Sequence, residues 1–104
     1  MEVREFQRLM EEIYGEKDRE RGPEGTMLWL VEEVGELAEA VRKGDVKAAE
    51  EELADLIAWA FSLANVLGID VEDVLKRKYP GVCPKCGRKP CVCPLNRSPG
   101  DDRG

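Results

Sequence analysis

Apolar residues recur at helical spacing through most of the first 80 positions. Val3, Phe6, Leu9, Met10, Ile13 and Tyr14 form one stripe, which predicts an amphipathic helix at the start of the chain. The stripe fades into GEKDRERGPEG, residues 15–25, whose charges, glycines and proline read as a linker or mobile loop. Thr26 is placed to cap a second helix that runs to about position 42. Gly44 supplies its stop, and Asp45 is a natural N-cap for a third helix to about position 67. KGD is thereby a tight helix-to-helix turn. Gly68 ends the third helix, and Asp70 and Asp73 stand at capping-box spacing before a short fourth helix stopped by Pro80. No strand pattern competes. The expected fold is all-α: an antiparallel bundle of about four helices over residues 1–80, with a small cysteine-bearing tail at 81–94. Residues 95–104 are too polar and too broken to order by themselves.

The turn at Gly44 gives the acidic residues a geometry. If the second and third helices pack antiparallel about it, positions equidistant from Gly44 lie at similar heights. Glu36 and Glu52 are each 8 positions away, and Glu33 and Asp55 each 11. Within each helix the two members stand at i, i+3 and project from one face. Four carboxylates converging in this way repel unless a cation or protons compensate them. Glu39, Glu50 and Glu51 read instead as an ordinary solvated helix face. Asp55 does not, because it is the only charged residue between Leu53 and Ile69, in a segment expected to be buried on most sides. The chain has no histidine, so the Glu-x-x-His arrangement of di-iron bundles is excluded. An all-oxygen donor set suits Mg²⁺ or Mn²⁺, ions that bridge carboxylates to substrate phosphates.

Charge is divided unevenly. Residues 1–80 carry 11 Lys and Arg against 20 Asp and Glu, a net −9, and residues 81–104 carry 5 against 2, a net +3. So acidic a body argues against a broad nucleic-acid surface, although a bound cation lets a phosphate approach. The start of the chain is charged and amphipathic, without the pattern of a signal peptide or a membrane span, and the expected location is cytoplasmic. Residues 53–67 are polar only at Asp55, Ser62 and Asn65. A body of about 80 residues shields too little of such a helix, since small domains bury only about 60% of their chain surface. A homodimer is expected to cover the rest.

Glu32-Glu33-Val-Gly-Glu36 followed by Glu52-Leu-Ala-Asp55 resembles the EExxE…ExxD signature of the MazG-type, all-α nucleoside triphosphate pyrophosphohydrolases. The flanks EFQRLMEEIY, GTMLWLVEEVGELAEAV and LGIDVEDVLKRKYP resemble single-domain members too, so the similarity spans about residues 3–80. The resemblance implies hydrolysis of a nucleoside triphosphate to monophosphate and pyrophosphate. It also implies Mg²⁺ at Glu33, Glu36, Glu52 and Asp55, and a helical dimer or tetramer as the working unit. Glu32, at i, i+4 from Glu36, is then the candidate to orient or deprotonate the attacking water, or else a solvent-facing outer residue. Lys76, Arg77 and Lys78 are the nearest basic cluster for the leaving phosphates, or dipole partners at a helix end. Phosphoribosyl-ATP pyrophosphohydrolase is a neighbouring enzyme reading. A non-enzymatic helical adaptor that presents the basic tail to a protein or nucleic acid is the rival from another class.

Trp29 and Trp59 stand 15 positions either side of Gly44, each one turn beyond a candidate ligand, and either can stack on a nucleobase or fill a core. The family's base-stacking aromatic one turn past the Asp ligand favours Trp59. Phe6 and Gln7 on the first helix are further candidates. In CPKCGRKPCVC, Cys83 and Cys86 form a Cys-x-x-Cys knuckle with Gly87 behind it, and Cys91 and Cys93 can complete a four-thiolate structural Zn²⁺ site. Two disulfides are the competing reading.

Overall fold

Gly22 divides the longest helix of the molecule in two. In the computed structural model, which describes residues 1–96, α1 spans Val3–Lys43, α2 spans Val46–Leu67 and α3 spans Val71–Lys78. No strand occurs among the described residues. Inside α1, Gly22 adopts φ 80° and ψ 172°, a conformation reserved in practice for glycine, and Pro23 follows. The proline ring keeps the residue before it out of the helical region, while Pro23 itself begins the next arm without needing a donor. α1 is thereby two arms joined at Gly22, and the helix boundaries differ from expectation.

The predicted linker at 15–25 is overturned, because α1 continues without interruption to Arg21. Gly15 does not break it. It is buried beneath the Glu11 carboxylate, which pairs with Arg19, and a Cβ at Gly15 would meet Glu11 Oε2 at 2.2 Å. Thr26 is likewise no N-cap. Its hydroxyl donates back to the Gly22 carbonyl at 2.8 Å, and its side chain is fully buried. The break is therefore set by Gly22-Pro23 and sealed by Thr26.

The other two turns form as their residues dictate. Gly44 takes φ 70°, the Asp45 N–H donates to the Ala40 carbonyl at 3.0 Å, and the Asp45 carboxylate caps α2 through the Ala48 N–H at 3.0 Å. Gly68 repeats the left-handed stop, with Ile69 N–H donating to Ala64 O at 2.9 Å. The chain forms two compact units, Met1–Val71 and Glu72–Gly104. In the first, α1 packs on α2. Phe6 meets Phe61 edge to face at 5.2 Å between centroids, and Arg4 pairs with Asp70 at 3.1 Å.

The interior of this unit is small and partly polar. Met10, Ala40 and Ala64 are buried together with Asp18, Thr26 and Ser62, while Leu28 is 73% exposed and Val31 54%. Asp55 is exposed as well, against the expectation of burial. Within the first unit α2 packs against α1, and much of its circumference, Leu53 and Ile57 included, stays open. In the second unit, Lys76 pairs with Glu72 at 3.4 Å, and the chain beyond Lys78 continues without helix or strand to the last described residue. The expectation of disorder at 95–104 falls, from position 97 onward, outside the described residues.

Candidate functional site

The mirror register about Gly44 is realised in the packing. Trp29 and Trp59 stack at 5.7 Å between centroids with their planes 8° apart, and Glu36 reaches Glu52 across the helix pair. Carboxylate oxygens of Glu33, Glu36 and Glu52 lie within 4.8 Å of one another. Glu33 Oε2 and Glu52 Oε2 are buried without a hydrogen-bond partner. Three acidic groups so close repel one another, which makes each harder to ionise. Burial pushes the Glu33 carboxyl up, beyond what its bond with Glu52 restores, and the charges of Glu36 and Asp55 add to the effect. Glu36 is raised by its hydrogen bond with Glu52, then by the Glu52 charge. Glu52 is pulled down by its bond with Glu36, but its bond with Glu33, burial, and the charges of Glu33 and Asp55 prevail and raise it.

Asp55 stands outside this tight group, near enough for its charge to act on Glu33 and Glu52. Glu32 is exposed, and its charge acts on Glu36. Two buried, unpartnered carboxylate oxygens beside a third carboxylate fit a hard divalent cation, whose charge removes the repulsion and whose preference is for oxygen donors.

Beyond Glu52 the same face of α2 continues through Asp55, Trp59 and Ser62, at i+3, i+7 and i+10. These three line a pocket of about 300 Å³ closed from α1 by Met10, Tyr14, Lys17, Asp18 and Arg21. Trp59 lines it and Trp29 does not. The Arg21 guanidinium lies 4.8 Å from the Trp59 ring centroid and donates to Asp18 Oδ1 at 2.8 Å. Asp18 is 2% exposed, and its second oxygen is buried without a partner. An aromatic face beside a buried acceptor, one helical turn from the acidic cluster, is suited to a flat polar ring carrying an anionic chain.

Residues 21–87 match the MazG nucleotide pyrophosphohydrolase domain. The chain belongs to this family. A dATP/dGTP diphosphohydrolase from Cyanophage S-2L is 39% identical over 59 residues, 57% of this chain and 52% of the relative, so the chain spans about half the length of the curated relative it matches. The MazG match contains Glu32, Glu33, Glu36, Glu52 and Asp55. It begins at Arg21, downstream of Tyr14, Lys17 and Asp18, and ends at Gly87, between Cys86 and Cys91.

Tyr14, Lys17, Asp18 and Arg21 are site-lining residues that the sequence reading missed: the last three because their segment reads as a loop, and Tyr14 because it reads only as part of the first helix's apolar stripe. The signal was present: Met10, Tyr14, Asp18 and Arg21 continue the helical face at i, i+4, i+8 and i+11. Other candidates from the sequence have uses elsewhere. Phe6 packs on Phe61. The Gln7 amide is consumed by the fold: Nε2 donates to Asn65 Oδ1 at 2.9 Å and to Ile69 O at 2.7 Å, and Oε1 accepts from Val71 N at 2.9 Å. Lys76 and Lys78 belong to the second unit, where Lys76 pairs with Glu72 and Lys78 lies 6.0 Å from the Tyr79 ring centroid.

That unit also holds the cysteines. Cys83, Cys86, Cys91 and Cys93 are free thiols with their sulfurs within 4.8 Å of one another. The Val92 N–H, outweighing burial, brings the Cys86 thiol down to about 6, and the backbone N–H of Cys86 lowers Cys83. Cys93, hydrogen-bonded to Cys91 and crowded by the other sulfurs, is pushed up to about 12.

Proposed function

We propose that the protein hydrolyses nucleoside triphosphates between the α- and β-phosphates, releasing the monophosphate and pyrophosphate, with Mg²⁺ or Mn²⁺ held by Glu33, Glu36, Glu52 and Asp55. The observation that carries this reading is the pair of buried, unpartnered oxygens of Glu33 and Glu52 beside Glu36. Mg²⁺ bound there supplies neutralisation of the triphosphate charge and a more acidic water. Glu32, exposed and within electrostatic reach of Glu36, accepts the proton of the water that attacks the α-phosphorus. Asp55, at the mouth between cluster and pocket, completes the ligand set once the site is loaded.

The pocket takes the nucleoside. Trp59, stacked on Trp29 and capped by the Arg21 guanidinium, offers the base a stacking face when Arg21 swings aside, and the free oxygen of Asp18 accepts from an amino or imino N–H of the base. The name of the cyanophage relative makes dATP and dGTP the first substrates to test. The working unit is a homodimer or homotetramer, because Leu28, Val31, Leu53 and Ile57 leave apolar surface on both helices for a second copy to cover.

The test is product analysis. The purified full chain is incubated with Mg²⁺ and each ribo- and deoxyribonucleoside triphosphate, and pyrophosphate and orthophosphate are measured separately. Pyrophosphate with monophosphate is the expected result. Orthophosphate with diphosphate, or inertness toward the whole panel, overturns the reading.

A further inference from the structure

We propose that Cys83, Cys86, Cys91 and Cys93 form a tetrahedral zinc site, and that the ion is what holds residues 81–93 in their folded form. The proposal is independent of the pyrophosphohydrolase reading, which uses none of the four cysteines. It starts from distances. A tetrahedral ion with Zn–S bonds of about 2.3 Å sets its sulfurs about 3.8 Å apart. Cys86 Sγ and Cys91 Sγ stand 3.9 Å apart, and all four sulfurs lie within 4.8 Å of one another. A disulfide needs about 2 Å, and all four residues are free thiols.

The backbone is shaped for the same purpose. Cys83 and Cys86 occupy a knuckle that closes when the Gly87 N–H donates to the Cys83 carbonyl at 2.8 Å and the Cys83 N–H to the Arg88 carbonyl at 2.9 Å. Gly87 makes the return at φ 72°, where a side chain is strained. The Cys93 N–H donates to Cys91 Sγ at 3.3 Å, tying the second pair of cysteines together.

Beyond these backbone bonds, no buried side chain holds the segment. No helix or strand runs through residues 79–96, and Val82 and Val92 are exposed, so no apolar core secures the loop. Four thiolates on one divalent ion leave two negative charges, and Lys85, Arg88 and Lys89 are set among the ligands with no acidic residue between positions 81 and 96. Donor softness separates the two metal sites. Sulfur selects zinc and oxygen selects Mg²⁺, so each cluster takes its own ion from a mixture.

The test uses the full chain purified under reducing conditions without chelator. Elemental analysis is expected to find one zinc per chain. Exchange with cobalt is expected to give thiolate-to-cobalt charge transfer and the d–d bands of a tetrahedral tetrathiolate. Trypsin is expected to spare the bonds after Lys85 and Arg88 in the zinc-loaded protein and to cut them once a chelator is added. Cys86→Ser is expected to lower retained zinc at least about tenfold after dialysis against a weak chelator, and to open the same bonds. Substoichiometric zinc with all four thiols alkylated equally fast in the presence and absence of added zinc overturns the proposal. So does iron in place of zinc, a mass showing disulfides, or full zinc retention by a Cys86→Ser, Cys93→Ser double variant.

Discussion

The acidic cluster of Met1–Val71 and the thiol cluster of Glu72–Gly104 each bring their ligand atoms within 4.8 Å, by opposite means. The carboxylates arrive from two helices, and their meeting depends on a register measured out from the turn at Gly44. The thiols arrive from eleven consecutive positions, and their meeting depends on a knuckle and a short return. Helix packing holds the carboxylates together whether or not an ion is present, so the metal-free protein keeps repulsion and two unpartnered oxygens within it. The thiols have no such scaffold. A site built on rigid elements is thus strained without its metal, whereas a site built on a loop is loose without it.

The largest expected effect breaks or upholds the first half of that comparison. On the proposed function Glu36→Gln removes a metal ligand, and because a catalytic metal contributes several kcal/mol to the barrier, turnover is expected to fall by about a hundredfold or more. Its metal-free melting temperature is expected to hold or rise, since one repelling charge has gone. A lower melting temperature with activity retained would mean that the cluster is only structural.

Next in size, Trp59→Ala tests whether the pocket belongs to the same site. Aromatic stacking on a base is worth about 1–3 kcal/mol, so KM for the preferred nucleotide is expected to rise about tenfold. Pyrophosphate release at saturation should change much less. An unchanged KM would separate the pocket from the chemistry.

A smaller effect sharpens the claim of strain. Glu33, Glu36 and Glu52 are weaker acids in the folded state, their pKa values raised, so above the ordinary carboxylate value the native protein binds more protons than the unfolded chain. Metal-free stability is therefore expected to fall as pH rises from about 4.5 through the raised values, and saturating Mg²⁺ should flatten the slope. Melting curves across that range with and without Mg²⁺ measure it. A slope of the opposite sign would remove the strain from the comparison.

The smallest effect separates the two clusters. Asp45→Ala deletes the cap that starts α2 and is expected to cost about 1 kcal/mol, read from denaturant unfolding. Turnover should weaken as the register loosens, while zinc retention in the second unit should not change. Loss of zinc in this variant would show that the thiol cluster also depends on the helix pair.

Much of this was legible beforehand. The stops at Gly44 and Gly68, the cap at Asp45, the pairing of Glu36 with Glu52 and the matching heights of Trp29 and Trp59 follow from counting along the chain. The helical state of residues 15–21 was not legible, because Gly15 and the charge run read as breakers when nothing is known of the Glu11 carboxylate folded over the glycine. The exposure of Asp55 was hidden too: an apolar segment reads as buried, but within its unit only α1 packs against it.

What the sequence by itself determined is local or periodic. A glycine that takes positive φ, a side chain that caps the next turn, and a helix that repeats every 3.6 residues act over a few positions, and their effects propagate by counting. What only the tertiary structure decided is which groups lose water. Asp18, in the stretch that reads as a loop, becomes the most buried charge of its unit because α1 carries it against Ser62 and Trp59 of α2. Burial is a property of neighbours distant in the chain, and no count along one segment contains it.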